Sequence, residues 1–238
     1  MCTVTLTTLP HFKYGFVLTS NRDEAPRREA LPPDFYLEAG VKLLYPMDKE
    51  SGGTWIGISE HSRVICLLNG GREAHQREEN YRLSRGVVVK DLLKAPVLDT
   101  TINNYDLRDI EPFTIISADW NKDLRFLEIV WDGKEKHITE LDLTSHLWSS
   151  SPLYDNGMKE QRNEWFTNFM GEKELTPENL WDFHHSAGIG DKNIDVIMDR
   201  GFVRTQSITQ IINTSAETEM IFKDLQKEKL TKKTFSSA

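Results

Sequence analysis

The chain has 238 residues, of which 38% are hydrophobic and 28% charged. That balance predicts a packed core in one large or two small domains. The net charge of -8 argues against a nucleic-acid-binding surface, and no apolar run approaches the roughly 20 residues of a membrane helix. Cys2 and Cys66 are the only cysteines. So few thiols, with no secretory leader pattern at the N-terminus, set the expectation of a reducing, cytoplasmic setting.

The first half reads as strands in pairs. Residues 2–8 alternate and are β-branched, and Tyr14 to Ser20 follows after a turn at residues 10–13. Ala25 to Pro46 is rich in Pro and Arg and reads as a long loop, a feature that is often functional. Thr54 to Ser59 and Arg63 to Asn69 read as a second hairpin. Glu78 to Lys94 has the apolar spacing of a helix that Pro96 ends, and a shorter helix is expected over Leu98 to Tyr105. Strands are expected at 113–118, 124–131 and 136–141, the last two joined by the turn dipeptide Asp132-Gly133. Lys159 to Met170 and Pro177 to His185 read as helices, the second with Thr176 as N-cap and proline at its first position. Arg204 to Asn213 and Glu217 to Phe222 close the series as strands. The expected organisation is one domain over residues 1–222 and a charged tail over 223–238, frayed or partly helical. Helices grouped between antiparallel strands make this an α+β domain.

Cys2 carries the strongest chemical signal. Cysteine is small enough for the initiator methionine to be removed, which would make Cys2 the mature N-terminus. One residue would then supply a thiol nucleophile and an α-amine of reference pKa about 7.7–8.0, a suitable base near neutral pH. The alternative is a small residue packed in a strand. A hairpin of the first two strands would bring Cys2 near Asn21-Arg22-Asp23-Glu24. A neighbouring Arg favours thiolate, and an Asp can orient the amine. Other polar groups stand at strand ends: Asn69 before Gly70-Gly71, whose amide suits an oxyanion, Ser150 within Trp148-Ser149-Ser150-Ser151-Pro152, and Arg204.

Met1-Cys2-Thr3 together with Asn21-Arg22-Asp23-Glu24 resembles the NRDE family, also called the transport and Golgi organization protein 2 family. Gly52-Gly53-Thr54-Trp55-Ile56-Gly57 matches its Gly-Gly-Thr-Trp-x-Gly segment, Leu68-Asn69 fits its strand ending in Asn, and Thr205-Gln206-Ser207 fits a late Thr-Arg-Ser-like strand loosely. The family is similar to cysteine N-terminal nucleophile (Ntn) hydrolases such as penicillin V acylase and bile salt hydrolase. The resemblance implies a four-layer αββα sandwich of two antiparallel sheets and cleavage of an amide bond. It implies Cys2 as nucleophile and base, Arg22 supporting the thiolate, Asp23 holding the amine, Asn69 in the oxyanion hole and a late-strand Arg, here Arg204. Asn21, Ser150 and Trp55 are the expected substrate contacts.

Three departures stand out. Arg22 and Asp23 are adjacent, so on an extended strand they face opposite ways unless the strand ends or bulges. Ser150 replaces the Asn of the hydrolases' Ser-Asn-Ser-Pro segment, and losing an oxyanion donor costs about 10²–10³ in rate. Gln206 occupies the place of the late Arg, with Arg204 two residues earlier. The expected ligand is a small acylated substrate, with no cofactor and no metal. The alternative is a non-catalytic binding or trafficking protein for a lipid, acyl thioester or haem, suggested by Ser150 and by the long stretch carrying Arg27, Arg28 and Phe35. His184-His185 reads as a pair of cap or surface histidines: adjacent helical positions point about 100° apart and chelate poorly.

Overall fold

A computed structural model describes residues 3–214 and 216–236. The elements in chain order are β1 (Thr3–Thr8), β2 (Phe16–Glu24), β3 (Ala30–Glu38), β4 (Val41–Asp48), β5 (Ile56–Ser59), β6 (Arg63–Asn69), α1 (Arg85–Lys94), α2 (Leu98–Asn104), β7 (Phe113–Asp119), β8 (Arg125–Trp131), β9 (Lys136–Leu141), β10 (His146–Ser149), α3 (Asn156–Glu172), α4 (Pro177–Ser186), β11 (Arg204–Asn213), β12 (Thr218–Asp224) and β13 (Lys229–Phe235). They fall into two compact units. One takes the chain through Glu29 together with Leu143–Ser236; the other is Ala30–Asp142.

The first unit is a six-stranded antiparallel sheet in the order β10-β1-β2-β11-β12-β13. Alternation decides its two faces. Thr3, Thr5 and Thr7 of β1 turn one way and each hydroxyl has a partner: Arg162, His184 and Ser145, respectively. Val17, Thr19 and Asn21 of β2 share that face, which α3 and α4 cover. Val17 packs with Leu9, Phe166, Leu180, Phe183 and Val196 in one apolar cluster. α3 starts where the Asp155 carboxylate accepts from Met158 N at 2.9 Å, and α4 where Thr176 Oγ1 accepts from Asn179 N at 3.2 Å. Both caps satisfy amides that the first helical turn leaves open.

The second unit is a seven-stranded antiparallel sheet running β3 to β9 in sequence order. Val88, Val89, Leu92 and Leu93 form the buried face of α1. The Gly-Gly-Thr-Trp-x-Gly segment earns its residues by packing against this helix. A Cβ on Gly86 would lie 3.0 Å from Thr54 N, and one on Gly53 would lie 3.1 Å from Gly86 Cα. Buried Arg63 donates to the Leu92 and Ala95 carbonyls at 2.9 and 2.7 Å and pairs with Asp119 at 2.9 Å. A cation thus meets the open carbonyls at the end of α1.

Several expectations need correction. Residues 25–46, read as a loop, hold β3 and most of β4. Pro32 and Pro33 hid this strand, but β3 is an edge strand and its register shifts between Leu31 and Asp34, where prolines are tolerated. The second strand, expected over Tyr14 to Ser20, starts at Phe16 and runs on through the polar residues Asn21–Glu24. The helix expected from Glu78 begins only at Arg85; Arg82 N instead donates to Asp109 O at 2.7 Å. Residues 229–235, expected to be frayed or helical, pair with β12, and Phe235 is buried. The lysines of β13 suit a sheet edge, where charge discourages further pairing. Among the described residues no helix is long and apolar enough to cross a membrane.

Candidate active site

β1 pairs on both sides near its start: Thr3 lies opposite Asn21 of β2 and opposite Ser149 of β10. Cys2, the expected nucleophile, lies outside the described residues. The strand ends flanking Thr3 gather the Asn21–Glu24 run, Ser149-Ser150 and, through β11, Arg204 and Thr205.

The two faces of β2 carry different chemistry here. On the helix side, Asn21 Nδ2 donates to the carbonyls of His184 and Val196 at 3.0 and 2.7 Å, and its Oδ1 meets His184 Nδ1. Asn21 is fully buried. It was expected to contact substrate, but its amide instead ties β2 to α4 and to the segment after it. Asp23 accepts from Tyr154 Oη at 2.8 Å and from Thr205 Oγ1 at 2.6 Å. Behind Tyr154 stands Arg162, fully buried, its guanidinium 3.7 Å from the Tyr154 ring centroid. Arg162 also donates to the Ile194 carbonyl at 2.9 Å, the Asp195 carbonyl at 2.7 Å and Thr3 Oγ1. The chain Arg162–Tyr154–Asp23–Thr205, with Arg162 gripping Thr3, fixes the start of β1 from beneath.

On the other face stand Arg22 and, at the rim, Glu24 and Arg204. Arg22 is buried, pairs across the ladder with Ser207, and donates from Nη1 to the Arg28 carbonyl at 3.0 Å. Arg204 lies opposite Glu24 in the β2–β11 ladder. Among the described residues its buried Nε has no hydrogen-bond partner. β2 neither ends nor bulges at Asp23. The extra residue is Gln206 on β11, where the register shifts between Thr205 and Ser207. Gln206 Nε2 donates to the carbonyls of Ala25 and Glu24 at 2.9 and 3.4 Å, closing the strand end. Arg22 and Asp23 therefore look to opposite sides of the sheet.

Ser150 is buried and follows β10; its carbonyl accepts from Tyr154 N at 3.2 Å, forming the turn that delivers Tyr154. Lys159 Nζ donates to Ser151 Oγ at 3.1 Å, and burial lowers its pKa below the ordinary lysine value.

Asn69 and Trp55 belong to the second unit. Asn69 is the last residue of β6, half-buried and opposite Phe113. Gly70 follows at φ +83, a conformation that favours glycine, and its N–H donates to Pro112 O at 3.0 Å. Trp55 is buried just before β5, and its carbonyl accepts from Leu67 N at 2.7 Å.

The reading of His184 as a cap or surface residue is corrected. It is fully buried between Thr5 and Asn21, and burial, with smaller contributions from His185 and Arg162, drives its pKa down to about 3. It is a neutral structural imidazole. Tyr154 and Arg162 also escaped sequence reading. Arg162 did leave a trace: it sits four residues before buried Phe166, on the apolar stripe of α3, where an unpaired charge is unexpected.

The sequence matches the family described as Transport and Golgi organisation 2 over residues 1–233. The chain belongs to that family. Among curated proteins none matches the sequence. Solved structures do match the fold. Penicillin V acylase from Agrobacterium tumefaciens aligns with TM-score 0.58 at 10% identity, covering 97% of this chain and 85% of that one. A Caenorhabditis elegans ortholog of N-acylethanolamine-hydrolyzing acid amidase aligns with TM-score 0.58 at 12% identity, covering 88% and 92%. A mutant conjugated bile acid hydrolase from Clostridium perfringens aligns with TM-score 0.51 at 11% identity, covering 100% and 98%. At such identities the likeness shows the fold: this family member has the αββα architecture of the Ntn hydrolases.

Proposed function

We propose that the protein is a cysteine Ntn amidohydrolase acting on a small acylated substrate in the cytoplasm. The observation that supports this most is the strand end around Thr3. The residue bonded to Thr3 is a cysteine, and β2 holds a buried cation and a buried carboxylate one and two positions beyond the Thr3 partner Asn21. Consecutive Cα atoms lie about 3.8 Å apart, so the proposal requires no more than one residue's reach from Thr3.

In the proposed reaction Met1 is first removed. The Cys2 amine takes the thiol proton, and the thiolate, favoured by Arg22, attacks the acyl carbon. The C–N bond breaks as the ammonium returns its proton to the leaving amine. Water then cleaves the thioester, releasing the acid. A terminal amine continues the backbone direction rather than joining either face of the sheet. A thiol on the Arg22 side and an amine held from the Asp23 side are therefore compatible. Arg204 is the candidate for a negatively charged part of the substrate or intermediate. Ser150 is the proposed substrate contact within the first unit.

The test is amine release from a panel of N-acyl amides that includes penicillin V, with intact mass read on the same protein. Expected are a chain lacking Met1, turnover lost in Cys2→Ala, and an acyl adduct on Cys2. Retained Met1, or turnover unchanged in both Cys2→Ala and Cys2→Ser, overturns the reading and favours a binding protein on this scaffold.

A further inference from the structure

A cavity of about 670 Å³ opens at the far end of β1 from Thr3. At about 3.3 Å per residue the six residues of β1 put it roughly 17 Å from the proposed nucleophile's neighbourhood. The turn between β1 and β2, the start of α4 and the end of β11 enclose it, all within the first unit. Its volume falls within the range of small-molecule sites.

The lining has an unequal division of chemistry. Leu9, Leu175 and Ile212 form the floor, which continues into the apolar cluster beneath α3 and α4. Phe12 stands at the mouth with 45% of its surface exposed. Glu174 and Glu178 complete the mouth, both exposed. Among the described residues neither carboxylate has a salt-bridge or hydrogen-bond partner, and the lining contains no Lys or Arg. His11 is the single lining residue able to carry a positive charge. The start of α4 would otherwise attract an anion, but Thr176 already caps it and Glu178 occupies its first turn.

We infer that this cavity is a binding site for an amphiphilic amine: an aliphatic body seated on Leu9, Leu175 and Ile212, and an ammonium head between Phe12 and the two glutamates. An aromatic face and unpaired carboxylates both favour a cation, and the same mouth repels a fatty acid or an acyl phosphate ester. The site is independent of the chemistry proposed at Cys2.

The probes are octylammonium chloride, octanol and sodium octanoate, each titrated calorimetrically into the full chain at about 0.15 M salt, where nonspecific attraction to net negative charge is largely screened. Octylammonium is expected to bind about fivefold or more tightly than octanol, and octanoate more weakly than either. The surface variant Glu174→Gln/Glu178→Gln should erase the preference for ammonium over alcohol without touching the core. Ile212→Trp, which fills the floor, should remove binding of both, with folding checked by circular dichroism. Octanoate binding as tightly as octylammonium, a preference that survives the double Gln variant, binding that persists in folded Ile212→Trp, or no binding of octylammonium at millimolar concentration would each overturn the assignment.

Discussion

His184 should make the stability of this protein fall as the solution is acidified through a range where most buried carboxylates are still ionised. In the unfolded chain the imidazole titrates near 6.5, whereas in the folded chain burial holds it to about 3. A base whose folded pKa is depressed imposes no penalty above the unfolded value. As pH falls from about 6.5 toward about 3, the unfolded chain gains a proton that the folded chain refuses, and stability is lost. The slope is about 1.4 kcal/mol per pH unit, so between about pH 7.5 and pH 5.0 the loss is about 2 kcal/mol. That is a large share of a typical stability of about 5–15 kcal/mol. Urea denaturation of wild type and His184→Gln at both pH values isolates the effect, because other groups titrate in both proteins. The variant should be less stable at neutral pH, having disturbed the bonds to Thr5 and Asn21, but should show a loss on acidification smaller by about 2 kcal/mol. Parallel falls in the two proteins would refute a neutral, buried His184.

Arg162→Met should cost about 3–5 kcal/mol in urea unfolding at neutral pH, because the Ile194 and Asp195 carbonyls lose their charged donor inside the protein; a loss under 1 kcal/mol would contradict the proposed grip. Arg162→Lys should recover little of it, since an ammonium cannot reproduce the fork and the stacking on Tyr154. Gly86→Ala would gain up to about 1 kcal/mol in a free helix, yet its Cβ meets Thr54 backbone at 3.0 and 3.1 Å. The clash should win, with a net loss of about 1–3 kcal/mol by thermal or urea unfolding; a gain would show that the segment can move away. Asp23→Asn should slow alkylation of Cys2 by iodoacetamide near pH 7 if Asp23 holds the amine that deprotonates the thiol, whereas equal rates at matched folding would remove Asp23 from that role.

Strands rich in apolar or β-branched residues, such as Arg63–Asn69, Lys136–Leu141 and Arg204–Asn213, are legible in the sequence to the residue. Those with conflicting local signals are not. The prolines of β3 speak for a loop, and only its place at the sheet edge makes them acceptable. β10 has four residues and borrows its conformation from β1. Adjacency alone put Arg22 and Asp23 on opposite faces of an extended strand, but that β2 stays regular there was not legible, because the bulge that closes the strand end lies on β11 at Gln206. His184 was opaque for a similar reason: its partners Asn21 and Thr5 lie 163 and 179 residues away, beyond any local pattern.

The pairing of β2 with β11 also fixes when the molecule can be completed. β2 is finished at Glu24, whereas the strand that covers its open edge begins only at Arg204. At a translation rate of about 5–20 residues per second, some ten seconds or more separate the two events. Meanwhile the strands from Ala30 to Leu141 pair only with near neighbours in the chain and can form their sheet as they emerge. The nascent protein thus carries a bare strand edge and the charged pair Arg22-Asp23 in water until almost the whole chain has been made. Chains cut short before β11 retain that edge, a template for mispairing, and make natural clients for chaperones and proteases.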